Sequence, residues 1–125
     1  MQKKGLFSGS YDILDEVKKI NGINVLVKEL DISDVKTMRN IMDGIRDRLK
    51  SGIALLCSRD EEKATMLLYV SKDLHNRFTA NTLIKEIAKE VKGGGGGRDD
   101  LAQAGGSYPE GLNNAILKLK ELVGN

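Results

Sequence analysis

The chain has 125 residues, 40% of them hydrophobic and 30% charged, with 20 basic against 18 acidic side chains and a formal net charge of +2. That length bounds it to one domain with a real core, and that balance is too even to mark a nucleic-acid binder without a local basic patch. A single cysteine excludes an internal disulfide and fits a reducing compartment, and no apolar run approaches the roughly 18 residues of a membrane span.

The expectation is a soluble, cytoplasmic protein or a fragment of one, since Met1–Ser10 lacks the apolar core of a signal peptide. Those first ten residues are polar and Gly/Ser-containing, and read as a flexible remnant ahead of a single globular domain over residues 11–125. The only aromatic residues are Phe7, Tyr11, Tyr69, Phe78 and Tyr108, so the core must be aliphatic.

Asn21-Gly22 between Ile20 and Ile23 is a hairpin signal, and Ile23, Val25 and Val27 alternate after it. Ile13–Ile20 fits a strand by its turn chemistry, although Ile13, Leu14, Val17 and Ile20 also fit a helix. Asp31–Lys50 reads as a helix, with Val35, Met38, Ile41, Met42, Ile45 and Leu49 on one face. Ser33 is its expected cap, Asp34 suits the first turn, and Gly52 closes it. Ile53–Ser58 and Ala64–Ser71 are short apolar runs joined by a charged turn, which predicts an antiparallel pair of buried strands. Cys57 lies inside the first and reads as structural. One cysteine and one histidine, His75, far apart in sequence, make no zinc site.

The polar segment Ser71–Thr79 follows a buried strand, where sites are often built on open sheets. Lys72, Asn76 and Arg77 offer donors to phosphate or base edges there. Thr82–Lys92 is an amphipathic helix with Leu83, Ile84, Ile87, Ala88 and Val91 inward and Gly93 as its terminator. Then comes Gly93–Gly106, reading GGGGGRDDLAQAGG. Five glycines suggest a loop that bends sharply or is approached closely, whose amide groups form a nest for an anion. Asp99–Ala104 is expected to open a helix, and Lys92 and Arg98 bracket the loop with positive charge. Pro109–Val123 reads as a last helix, with Ser107 as a cap. The assembled order is ββ-α-ββ-α-glycine loop-α, an α/β domain with α+β tendency: a mixed sheet of four to five strands from two hairpins, with three helices packed on it.

Three segments, INGINVLVKEL, LLYVSKDLHNRFTANTLIKEIAKEV and GGGGGRDDLAQAGG, together resemble the C-terminal domain of alanyl-tRNA synthetases, a DHH-associated domain. The likeness runs from Tyr11 to Val123, and the glycine element with its R-x-D-x-A-Q-A-G-G tail is its specific part. It implies binding to alanine-specific tRNA at the elbow, where the D and T loops meet, and coupling of aminoacylation to editing. The implied RNA-binding set is Lys72, Asn76, Arg77, Lys92, Gly93, Gly94, Gly95, Gly96, Gly97, Arg98, Gln103, Gly105 and Gly106. Implied partners are the tRNA, the remaining synthetase domains and a second copy of the chain, the last mainly through a helical segment preceding the globular part; no membrane is implied. No cofactor and no chemistry of its own are implied for this piece of a longer ligase. The family pattern has a lysine near Gly94 and a proline at Asp99, so one phosphate contact is lost here while a backbone role is kept.

Two rival readings stand beside this one. One is the substrate-binding, nucleotide-binding half of a DHH-type phosphoesterase, whose DHH-associated domain the chain also resembles but whose metal-binding Asp/His cluster it lacks. It also fits a dimerisation module, with the stripe Leu112, Ala115, Ile116, Leu119, Leu122 and Val123 as the interface.

Overall fold

The computed structural model describes residues 17–31 and 34–124. The expected remnant Met1–Ser10, most of the strand expected over Ile13–Ile20, and the Ser33 cap lie outside the described residues. Asn21 and Gly22 adopt positive φ (55° and 80°) and turn β1 (Lys18–Ile20) back on β2 (Ile23–Glu29). Asp34 caps α1 (Val35–Leu49), its carboxylate accepting from the Lys36 N–H. The helix ends at Lys50, which takes φ 63°, and Gly52 instead serves the turn into the next strand.

β3 (Ile53–Arg59) lies parallel to β2, so α1 is the crossover of a β-α-β unit. β4 (Ala64–Val70) returns antiparallel to β3, as its apolar run predicts. Thr79 caps α2 (Ala80–Ala88), which tightens into a 3-10 turn over Lys89–Val91. Lys92, in the left-handed region at φ 55°, terminates it in place of the expected Gly93.

The glycine run is the main departure from the sequence-based expectation. Gly93–Gly97 is not a loop but strand β5, and Leu101–Gly106 is not a helix but strand β6. The two form a third hairpin whose turn is Arg98–Asp100, and β6 pairs with β4. The sheet therefore has six strands, in the order β1-β2-β3-β4-β6-β5, with the glycine strand at one edge. After a 3-10 turn over Pro109–Gly111, α3 (Leu112–Gly124) closes the chain, and Ser107 gives no capping bond.

Strand alternation divides the core. Leu26, Ala54, Leu56, Leu67 and Tyr69 face α1, with Met38, Met42, Ile45 and Leu49. Ile53, Leu55, Cys57, Met66, Leu68 and Val70 face α2 and α3. Leu112, Ala115, Leu119 and Val123 are buried in this second layer. The stripe expected as a dimer interface is thus spent inside the domain, and Leu117, outside that stripe, is the exposed leucine of α3. Burial also pushes the Cys57 thiol up to about 12, so it is a packing residue and no nucleophile.

Candidate functional site

Packing explains three of the five glycines in β5. A Cβ on Gly93 would run into Gly105 O of β6, one on Gly95 into Gln103 O, and one on Gly97 would lie 2.6 Å from Leu101 O. Gly94 differs: a Cβ there meets nothing within 4 Å. Gly96 is intermediate, 3.2 Å from Asn81 Oδ1 and 3.6 Å from Lys85 Cε of α2. The close approach expected of the glycine run is real, but the approaching group is the neighbouring strand.

The direction of the main-chain groups follows from the hairpin. Arg98 N–H donates to Leu101 O at 2.9 Å, which makes that pair hydrogen-bonded. Antiparallel pairs alternate, so Gly97, Gly95 and Gly93 turn their N–H groups away from β6. Gly97 behaves so, donating outward to Asn81 Oδ1 at 3.2 Å. Gly95 and Gly93 are exposed and carry no side chain to shield them. The site is therefore an open strand edge of bare backbone rather than a nest.

The predicted cations fall at its two ends. Val70 N–H donates to Asp100 O (2.9 Å) and Ala80 N–H to Asp99 O (2.7 Å), pinning the hairpin turn between the end of β4 and the start of α2. This brings Arg98 and the Lys72–Thr79 segment, with exposed Lys72, Asn76 and Arg77, to one end of the sheet. The Arg98 side chain is 78% exposed, with its Nε 3.8 Å from Asp100 Oδ1. Arg77 packs its guanidinium 5.3 Å from the Phe78 ring. Lys92 stands at the other end of β5, a strand of five residues and so about 17 Å long. Its Nζ sits 4.8 Å over the Tyr108 ring.

Gln103, Gly105 and Gly106 lie on β6, and Gln103 Oε1 accepts from Arg39 Nη2 of α1 at 2.8 Å. Over them and Gly94–Gly96 lies an open groove of about 600 Å3 that also reaches Lys63 and Thr65. Arg39, Lys63, Asn81 and Tyr108 escape a reading of the sequence because only the third hairpin brings them to the glycines. The outward period of Gln103 between buried Ala102 and Ala104 is the one local signal of that strand.

The Ser71-Lys72-Asp73 triplet is a structural knot that presents Lys72. Ser71, 1% exposed, accepts from Gly52 N–H at 2.9 Å and donates to Asp73 Oδ1 at 2.5 Å. Ser51 Oγ donates to the other carboxylate oxygen at 2.5 Å. The Ser51 hydroxyl first, then that of Ser71, hold Asp73 below its ordinary pKa of 3.8. A lowered carboxylate adds stability that is fully present above 3.8 and is lost as pH falls through the lower folded value. Thermal unfolding from about pH 5 to about pH 2 is therefore expected to show a smaller acid loss in Asp73→Asn than in the unaltered chain. Equal acid loss in both would remove Asp73 from the account.

Among the described residues no group of three or more His, Cys, Asp or Glu is placed to hold a metal ion. No helix among them is long and apolar enough to cross a membrane.

Residues 22–125 match the family model of the DHHA1 domain. The chain is 45% identical over 113 residues to an alanine–tRNA ligase of Oleidesulfovibrio alaskensis, covering 90% of this chain and 13% of that one. It is 45% identical over 123 residues to that of Lawsonia intracellularis, covering 98% and 14%. The chain thus spans about one seventh of the length of these relatives. Among solved structures it superposes on the C-Ala domain of the Aquifex aeolicus alanyl-tRNA synthetase with a TM-score of 0.81 at 31% identity, covering 87% of this chain and 98% of that one. A DHH-domain member of the S1p family of ribosomal proteins shares the fold, with a TM-score of 0.59 at 17% identity over 90% of this chain and 29% of that one.

Proposed function

This chain belongs to the DHHA1 domain family, as the C-terminal domain of an alanyl-tRNA synthetase, and from that premise we propose that it binds alanine tRNA at the elbow. On this reading it does no chemistry itself. It holds one tRNA for the aminoacylation and editing modules of the parent chain, its other partners. The observation that supports it most is the bare edge of β5, where Gly93 and Gly95 offer main-chain donors that RNA can approach without meeting a side chain.

Arg98, Lys72 and Arg77 at one end and Lys92 at the other supply phosphate contacts, with Asn76 and Gln103 available to a ribose or base edge. So few cations imply contact with about two to four phosphates and a correspondingly shallow salt slope. The elbow is structured RNA, and recognition by its shape suits a surface poor in stacking aromatics.

Binding of the chain to alanine tRNA across a salt series, against the same tRNA with its D-loop/T-loop pairing broken, tests the reading. Selective loss of the broken tRNA is expected; equal, steeply salt-dependent binding of both would mean nonspecific attraction. Gly94→Lys sharpens the test, because a side chain there meets nothing within 4 Å and the family pattern carries a lysine near it. It is expected to leave unfolding unchanged, raise tRNA affinity several-fold and steepen the salt slope by about 0.9. Unchanged affinity and slope would place the RNA away from β5.

A further inference from the structure

A second cleft, of about 430 Å3, opens between the last turn of α1, the end of β4 and the hairpin turn, lined by Arg46, Lys50, Tyr69, Lys72, Asp73 and Asp100. We propose that this cleft holds one phosphate of an RNA backbone, with Lys50, Lys72 and Arg46 supplying charge and the Tyr69 hydroxyl supplying a hydrogen bond. The proposal rests on the RNA-binding reading and extends its footprint from the hairpin turn across the sheet end to α1, an element that reading does not use.

The Tyr69 hydroxyl is the first support. Tyr69 is only 7% exposed, yet its hydroxyl has no hydrogen-bond partner among the described residues. Tyr69 lines the cleft, so a phosphate oxygen there can accept from its hydroxyl. A phenol is protonated at neutral pH and able to donate, and burial first, against the Arg46 charge and with those of Asp100 and Asp73, raises its pKa further.

Lys50 is the second. It ends α1 at φ 63° and ψ −54°, the centre of a tight turn in which Ser51 N–H donates to Leu49 O at 2.6 Å, a conformation strained for a lysine and open to glycine. The strained residue is one of those that add positive charge to the cleft wall.

The charge balance is the third. Of the two carboxylates at the cleft, Asp73 accepts from the hydroxyls of Ser51 and Ser71, which keep it ionised, and Asp100 lies 3.8 Å from Arg98. Lys50 and Lys72 pair with no carboxylate among the described residues, and Arg46 lies 3.3 Å from an exposed Asp43. Three cations, Arg46, Lys50 and Lys72, against two carboxylates leave the cleft lining one net positive charge, and neither ammonium group is paired with a carboxylate among the described residues.

Two variants test this without harming the fold. Lys50→Gly removes the charge and suits the positive φ; Tyr69→Phe removes only a hydroxyl that has no partner. Both are expected to unfold at or above the temperature of the unaltered chain. Lys50→Gly is expected to weaken tRNA binding several-fold and lower the salt slope by about 0.9, while Tyr69→Phe weakens it with little change in slope. Millimolar inorganic phosphate at constant ionic strength is expected to weaken tRNA binding by the unaltered chain, and to do so less in Lys50→Gly. Unchanged affinity and slope in both variants, with the unaltered chain still distinguishing the broken elbow, would overturn this inference alone. Binding of inorganic phosphate in the cleft, followed through the Tyr69 ring signals, with no effect on tRNA affinity would reassign the cleft to a free phosphate and overturn the RNA occupant. Absence of RNA binding by the unaltered chain would overturn both readings.

Discussion

Gly95→Ala is expected to destabilise the domain by about 3 kcal/mol, a fall in melting temperature of about 10 to 20 °C at this size, whereas Gly94→Ala, one residue away, changes it by less than about 0.5 kcal/mol. The contrast comes from the pairing. A methyl group on Gly95 would overlap Gln103 O and the Ala104 side chain, and neither can withdraw without breaking the β5–β6 ladder. A methyl group on Gly94 meets nothing within 4 Å. Alanine also restricts the unfolded chain more than glycine does, which favours Gly94→Ala slightly and offsets little of the Gly95 overlap. Thermal unfolding of the two variants decides the matter. Equal losses would mean that the run is needed for chain freedom rather than for close pairing, and the edge-strand account would fall.

The second large effect separates binding from folding. Gly94→Glu is expected to weaken tRNA binding tenfold or more, about 1.4 kcal/mol, and to leave the unfolding midpoint where it was. The side chain has open space, so the fold accepts it. The carboxylate then stands beside the exposed backbone of Gly93 and Gly95, and repels the phosphates those donors would meet. Its loss of affinity should shrink as salt rises, opposite in sign to the gain expected for lysine at the same position. Identical affinities for glutamate, glycine and lysine at position 94 would exclude β5 from the interface.

The sequence makes much of this fold readable, and the exceptions share a cause. Asn21-Gly22 predicts its hairpin because both residues tolerate positive φ, and the two residues adopt it. The α1 stripe and the apolar runs of β3 and β4 are legible because periodicity reports burial directly. The glycine strand is illegible for the opposite reason. Glycine has no side chain to show a period and is depleted in strands, so five in a row read as a loop. The demand for glycine at Gly93, Gly95 and Gly97 is set by the β6 backbone, a tertiary fact. Once β5 and β6 are strands, Asp99–Ala104 cannot be a helix and the nest becomes an edge. The α3 stripe misleads similarly: its period predicts an apolar face, but only the sheet packing tells that the domain covers that face itself.

Among the predicted site residues, the fold assembles Lys72, Asn76, Arg77 and Arg98 because the hairpin turn is pinned by Val70 and Ala80, and it sends Lys92 to the far end of β5. Sequence order shows the glycines and their flanking charges; it does not show that Lys72 and Arg98, 26 positions apart, share one end of a sheet.

The most direct measurement is an NMR titration of the chain, labelled with nitrogen-15 at glycine, with alanine tRNA. The account predicts that the Gly93–Gly97 and Gly105 amides shift or broaden early and together. Gly22 and Gly124 lie toward the opposite edge of the sheet, one in the β1–β2 turn and the other beside Ile20, and should stay unmoved. Movement centred on Gly22 and Gly124, with the β5 amides unchanged at saturation, would contradict it and assign the RNA to the other edge.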